Sequence, residues 1–368
     1  MTWFDTLHQQ MIADCQQPHV LACGSGRLLV CEQAARVLAC ELPGVGHNLF
    51  FHTDRTADDG GLGPVTGGDR LWIAPEVAYF WPTLDDALRD PKGTAKTPAA
   101  IDPGEYTGAN GVWDGTGVSV EAMVEGISDV RSGATGVFAM TRDIFPVSAP
   151  RFDVASDDLA IASFAIVNGL ERYSGELLIG AWDILQVPPM GTLICPTVGR
   201  AEVRSYYEPF GDRHVVVSDT DVRFLIDGKR RIKMGLRAEH TTGRMGYYRP
   251  ADGQTSTLIV RIFAPLPGEP YGDVPRDDPR NRQLERGEIE GPILGGDCLQ
   301  AYNDDGDAFG GGPEVTFGEM EYHDPCLVVG RGPTSRSGSC VTHVMAGPDD
   351  AVRAVGGALL GVEVGMIG

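Results

Sequence analysis

The sequence predicts an all-β protein of antiparallel sheets with a short N-terminal helix. Three observations carry that prediction. The 368 residues include 49 glycines and 25 prolines, a composition that suits many short strands joined by tight turns better than a helical bundle. Strand-like apolar runs recur between turn residues along the whole chain. Polar and apolar residues interleave over 117–147, the pattern of a half-buried antiparallel sheet.

Taken in order, Trp3, Phe4, Leu7, Met11 and Ile12 fall on one side of a helix over 2–16. Residues 1–24 read as a helical extension, and 25–368 as a single β domain. Runs at 26–31 and 35–40 are its first strands. Residues 46–82 read as irregular and are rich in His, Asp and aromatic residues; loops of that kind carry function more often than packing. The stretch 159–187 is more continuously apolar and ends at Pro188-Pro189. Residues 215–236 read as two strands of a hairpin turning at Asp227-Gly228. A further strand is expected over 257–265. Residues 268–291, a run of Pro, Asp and Arg, read as a long surface loop that does not divide the domain. The last quarter returns to strands, including 298–302 and the run that holds Glu319 and Glu321.

The formal charge of −21, from 51 acidic and 30 basic residues, disfavours non-specific binding to nucleic acid or to an anionic membrane. No apolar run approaches the roughly 20 residues that span a bilayer, and the first residues lack the pattern of a secretory signal. The eight cysteines include no CxxC pair, so zinc-finger spacing is absent and the thiols read as small buried hydrophobes. These features predict a reduced, cytoplasmic protein whose partner is a small molecule. They leave the oligomeric state open.

The candidate site centres on 297–325. Glu319 and Glu321 are two apart on a strand, so both project from one face. Such a pair resists desolvation and belongs either to a wet strand face or to a cleft that makes use of raised carboxylate pKa values. The adjoining acidic loop, with Asn303, Asp304, Asp305 and Asp307, favours the cleft. In an extended 67–76 stretch, Arg70, Trp72 and Glu76 share a face; a flat ring with charged forks is equipment for a sugar subsite, and a buried Arg–Glu pair that pins the loop is the alternative. Lys233 and Arg231 are either a solvated face or cleft cations for an acidic sugar. His47 and His240 are the histidines retained as candidate acids; His323, beside the Glu pair, is set aside. Calcium in the 303–314 loop fits poorly, because Ala308 stands where an EF-hand needs glycine and Glu314 lies one place too far along. No cofactor is therefore expected, with calcium the alternative.

GGDRLWIAPE at 67–76, GAWDILQVPP at 180–189, DGKRRIKMGL at 227–236 and the YND and E-x-E elements occur in an order and spacing that resembles an uncharacterised bacterial family, a domain of unknown function with a galactose-mutarotase-like fold related to aldose 1-epimerases. The resemblance covers roughly 25–347. It implies a β-supersandwich with a sugar-sized cleft on one concave face and, for activity, mutarotation by general acid–base catalysis. Glu321 lines up best with the mutarotase base and Glu319 is second. The family's mid-chain acid histidine has no counterpart in the segment 163–175, which holds no His. The expected function is therefore a carbohydrate-active protein, with an aldose 1-epimerase-like isomerase as its enzymatic form. A non-catalytic sugar-binding protein, a hydrolase or lyase on the same scaffold, and a purely structural protein are the alternatives.

Overall fold

The computed structural model describes residues 1–14, 16–53, 62, 66–90, 94–108, 116–150, 158–211, 213–250, 255–306 and 315–367. Strands account for 43% of the chain and helices for 12%, as the turn-rich composition requires. Among the described residues there are two large antiparallel sheets. The first runs in the order β1 (Pro18–Cys23), β2 (Gly26–Cys31), β3 (Arg36–Glu41), β4 (Asp69–Ala74), β9 (Gly180–Val187), β18 (Gly318–His323), β17 (Leu299–Asn303), β14 (Ile232–Leu236), β11 (Arg204–Ser205). The second runs β12 (Val215–Val217), β13 (Asp221–Ile226), β10 (Gly191–Pro196), β15 (Arg244–Arg249), β16 (Ser256–Phe263), β19 (Ser335–Gly347), β8 (Ala160–Gly175), β7 (Thr135–Pro146), β6 (Val118–Ser128), β5 (Thr107–Gly108).

The sheets pack face to face over one apolar core that includes Leu28, Val37, Ile73, Ile144, Phe164, Leu185, Phe224 and Met320. Helix α1 (Trp3–Ala13) is capped by Thr2, whose hydroxyl accepts from the Asp5 amide, and it lays Phe4, Leu7 and Met11 against Leu29, Cys31, Leu38 and Ala39 of the first sheet. Residues 18–23, grouped with that helix in the sequence reading, form the sheet's edge strand. Two short helices, α2 (Glu76–Tyr79) and α3 (Leu84–Arg89), follow β4. A third, α4 (Pro279–Glu285), lies inside the expected surface loop. Helix α5 (Asp349–Leu360) covers the outer face of the second sheet with Val352, Val355, Leu359 and Leu360, where only strands were expected.

Three expectations need correction. The chain over 46–82 is not wholly irregular: 69–74 is a fully buried central strand. Residues 271–276 are buried, so the 268–291 stretch is a surface loop at its first residues and in its later part but not between them. Asp227-Gly228 does not close a hairpin. Strand β13 pairs with β10 and β12, whereas β14 pairs with β11 and β17, so the turn carries the chain from one sheet to the other. The glycine supplies φ +71° there, as a tight turn needs, but a turn dipeptide carries no information about which strands will pair.

Between the sheets lies a wholly buried charge quartet. Arg142 of β7 pairs with Asp69 of β4 and, at 3.2 Å, with Asp183 of β9. Arg261 of β16 pairs with Asp183 and, at 3.1 Å, with Asp69, and it donates to the Met320 carbonyl at 2.9 Å. Asn168 donates to Asp183 at 2.7 Å. Burial pushes the Asp69 carboxyl up to about 7, and Asp183 beside it adds to the rise; burial opposes the charge on Asp183 as well, but Arg261 and Arg142 hold it below its usual range. Removing one member of such a set leaves uncompensated charge in the core, at a cost of about 3–5 kcal/mol. Arg142→Leu should therefore lower the urea midpoint by an amount equivalent to that loss, and an unchanged midpoint would exclude a structural role for the quartet.

Candidate active site

Alternation along the strands sends one set of side chains into the core and the other to the outer face of the first sheet. Leu71, Leu185, Met320 and Met234 belong to the inner set. Arg70 and Trp72 on β4, Trp182 and Gln186 on β9, Glu319, Glu321 and His323 on β18, Gln300 and Tyr302 on β17, and Lys233 on β14 form the outer one. Register places Glu319 between Gln186 and Tyr302, and Glu321 opposite Gln300. Lys233 stands across from Tyr302.

This face is not bare. Pro75 ends β4 and starts α2, which brings Glu76 over the sheet; the Glu76 amide donates to Asp273 Oδ1 at 2.7 Å, and Gln300 holds the other oxygen at 2.7 Å. Tyr206 also lies against the face, over Gly235: a Cβ there would stand 2.7 Å from its ring and 2.1 Å from the Asp297 carboxylate, so only glycine fits.

Lys233 is the hub. Its Nζ sits 3.0 Å from Glu321 Oε2 and 3.3 Å from Glu76 Oε2, and lies 4.3 Å from the centre of the Trp182 ring. The Trp182 indole donates to Glu321 Oε2 at 2.7 Å. Glu321 Oε1 has no hydrogen-bond partner among the described residues. Glu76 Oε1 accepts from Tyr207 at 2.9 Å and from Arg276 at 3.4 Å. Arg70 and Gln186 both donate to Glu319 Oε1, each at 2.9 Å.

The environments of the two carboxylates on Lys233 push their pKa values apart. Burial raises Glu321 to about 8 against the pull of Lys233, with Glu319 adding to the rise. Burial opposes the charge on Glu76 too, but Lys233, Arg276 and the Tyr207 hydroxyl outweigh it and hold Glu76 at about 2. Lys233 is kept charged, since Glu321 and Glu76 overcome its own burial. Titratable groups separated in this way are equipped to hold a proton on one and a charge on the other at neutral pH.

A cavity of about 30 Å³ remains above this cluster, walled by Trp72, Glu76, Trp81, Trp182, Tyr207, Lys233 and Glu319, with Arg231 and Tyr302. That is room for one water, whereas ligand pockets commonly measure about 300–1,000 Å³. The cover is a stack: the Arg276 guanidinium lies 4.4 Å from the Trp81 ring and 4.2 Å from the Tyr207 ring, and Arg231 lies 4.6 Å from Tyr207.

The structure brings together Glu319, Glu321, Arg70, Trp72, Glu76 and Lys233 from the sequence candidates. It changes some of their expected positions. Glu321 is wholly buried behind Lys233 and Trp182 and does not line the cavity, and its raised pKa opposes an ionised base at neutral pH; Glu319 and Glu76 do line it. Arg231 and Lys233 are buried or half-buried cations rather than a solvated face. Asn303 shares the opposite face of β17 and instead fastens the β13–β14 crossover, accepting from the Gly228 amide at 2.9 Å and donating to the Arg230 carbonyl at 2.8 Å. Asp304 accepts from Tyr302 and the Gly306 amide, each at 2.8 Å, and burial pushes it up to about 7; it braces a wall residue.

His47 is exposed near Arg249 and His240 occupies the turn after β14. Neither lines the cavity, and no hydrogen bond or ion pair among the described residues joins either to the Glu pair. His323, set aside earlier, shares the face of Glu321 because the two are two positions apart. It stacks on Trp182 at 5.3 Å, and burial with the Lys233 charge holds its pKa well below the usual value. Among the described residues no group of three or more His, Cys, Asp or Glu is placed to hold a metal; Asp307, Ala308 and Glu314 of the suspected calcium loop lie outside them. No helix among them is long and apolar enough to cross a membrane.

Sequence reasoning missed Trp182, Tyr207, Asp273 and Arg276. Trp182 could have been found, since GAWDILQV is a strand whose even positions share a face. Nothing local marks the others, which arrive from loops.

No family model and no curated protein sequence matches the chain. Solved structures do. The chain is similar to an inferred aldose 1-epimerase of Escherichia coli K12, with a TM-score of 0.51 and 10% identity, over 90% of this chain and 99% of that one. A galactose mutarotase-like protein of Lactobacillus casei ATCC 334 matches at a TM-score of 0.45 and 7% identity, over 89% and 99%. An inferred mutarotase of Salmonella typhimurium matches at 0.47 and 10%, over 89% and 90%. The first of these shows that the chain shares the fold of that aldose 1-epimerase-type structure, the fold class that the resemblance in the sequence implied.

The raised pKa of Glu321 has a pH signature. Folded Glu321 holds its proton up to about 8, whereas the unfolded side chain releases it near 4.5. Its contribution to stability is therefore full below pH 4.5 and is lost as pH rises to 8. Glu321→Gln should remove that decline, so urea unfolding of the variant changes less between pH 5 and pH 8 than that of the wild type. Parallel profiles for the two proteins would contradict the raised value.

Proposed function

We propose that this protein binds an aldose on the outer face of its first sheet and interconverts its anomers by general acid–base catalysis. The observation that supports the reading is the single ammonium of Lys233 between Glu321, whose pKa burial raises, and Glu76, whose pKa its cations lower, beneath an aromatic wall. Glu319, which lines the cavity and accepts from Arg70 and Gln186 on Oε1, takes the anomeric hydroxyl proton; burial raises its pKa, and Arg70 and Lys233 oppose that rise. The C1–ring oxygen bond breaks as C1 becomes a carbonyl, and Lys233 gives a proton to the ring oxygen. The proton on Glu321 replaces the one Lys233 has lost. Rotation about C1–C2 and the reverse transfers close the ring on its other face and restore each proton. Trp182 and Trp72 belong to the aromatic wall that would meet the C–H side of the sugar, and Arg70, bonded to Glu319 Oε1, holds that carboxylate in place.

Access requires the Arg276–Trp81–Tyr207 cover to move, because a sugar does not fit in the space of one water. That small volume favours a second reading, in which the cluster is a sealed polar core with no turnover. Nuclear magnetic resonance decides between them by following anomer exchange across a panel of aldoses with wild type and Glu319→Gln. The expected result is exchange by the wild type and a loss of at least about a hundredfold in the variant. Sugar affinity should change by less than about tenfold, since an amide still hydrogen-bonds a hydroxyl. Binding without exchange in the wild type would make this a sugar-binding protein, and no binding at all would leave the sealed core.

A further inference from the structure

We propose that Asp90 is a built-in stand-in for the anionic group of the ligand, and that the site takes an aldose bearing a carboxylate or a phosphate; this rests on the carbohydrate reading above. Asp90 follows α3, and one of its oxygens, Oδ2, accepts from both Arg231, at 2.5 Å, and Arg276. Two guanidinium groups converging on one oxygen make the arrangement that a carboxylate or phosphate ligand would meet.

Neither cation owes its position to Asp90 alone. Arg276 is stacked between Trp81 and Tyr207 and bonded to Glu76 at 3.4 Å; Arg231 lies over Tyr207. Each also keeps a buried Nε with no hydrogen-bond partner among the described residues. If the Asp90 carboxylate leaves, a preformed pair of cations remains, with Arg231 lining the cavity of Lys233 and Arg276 in the cover between Trp81 and Tyr207. A neutral aldose offers that pair nothing to replace the lost charge, whereas an anionic one does.

Asp90 is also the group best able to leave. It sits at φ +48°, in the left-handed region that non-glycine residues adopt at some strain, and it ends its helix instead of belonging to a strand. Its side chain retains 16% exposure, between the 8% of Arg276 and the 25% of Arg231.

Asp90→Asn is the test, because asparagine suits a left-handed helix end and removes only the charge. Calorimetric titration would compare glucose with glucuronate and glucose 6-phosphate, and inorganic phosphate would probe the anion site alone. The expected result is a ratio of anionic to neutral sugar affinity about tenfold higher in the variant than in the wild type, with the gain abolished when Arg231→Gln is added. A gain confined to glucuronate or to the phosphate ester supports the proposal and names the anion. If inorganic phosphate raises the melting temperature of Asp90→Asn more than that of wild type while no sugar binds, the anion site stands and the carbohydrate reading falls. If glucose binds and neither phosphate nor the anionic sugars gain, the anion site is overturned and the carbohydrate reading survives.

Discussion

The buried quartet of Asp69, Asp183, Arg142 and Arg261 is the constraint on which the site depends. Its carboxylates stand on β4 and β9, its arginines come from β7 and β16 of the facing sheet, and Arg261 reaches on to the Met320 carbonyl of β18. Those three strands carry Arg70, Trp182, Glu319 and Glu321 on their other faces. A shift of one residue in register would turn charged side chains into the core and apolar ones outward. Ion pairs in a dry core contribute little net stability against well-packed apolar residues. Their effect here is to make only one register electrostatically acceptable, and so to fix which side chains meet above the sheet.

On the outer face the same problem is met differently. Charges there are buried under loops, and each carboxylate finds a cation from another part of the chain: Glu319 with Arg70, Glu76 with Lys233 and Arg276, Glu321 with Lys233. Glu321 has two partners, Trp182 and Lys233, both on Oε2, against three for Glu76, and burial favours its neutral form. The spread between Glu76 and Glu321 follows from the Arg276 charge and the Tyr207 hydroxyl that Glu76 has besides the lysine they share, and from the deeper burial of Glu321.

Much of the fold was legible because it depends on local rules. Turn residues marked strand ends, alternation gave the faces of β4 and β18, and the Glu319–Glu321 spacing pointed to the site. Pairing was not legible: Asp227-Gly228 joins strands in different sheets, and an Asn303 side chain that fastens that crossover looks in sequence like part of an acidic loop. The cover was not legible either. Asp273 and Arg276 lie in a Pro- and Asp-rich run that looks solvated, and they are buried only because the sheet beneath presents Lys233 and Gln300 to receive them. The histidines expected as acids carried no information on distance.

Strand β19 has a consequence for how the molecule comes into being. It lies in the middle of the second sheet, paired over 335–346 with β8 on one side and over 340–347 with β16 on the other. During synthesis the chain therefore carries two partial sheets, β5 to β8 on one side and β12, β13, β10, β15 and β16 on the other, whose inner edges stay open until residues 335–347 leave the ribosome. Open edges of that length invite pairing with other chains. The nascent protein depends on its last strand as a zip, and a product cut short before it would present both edges at once.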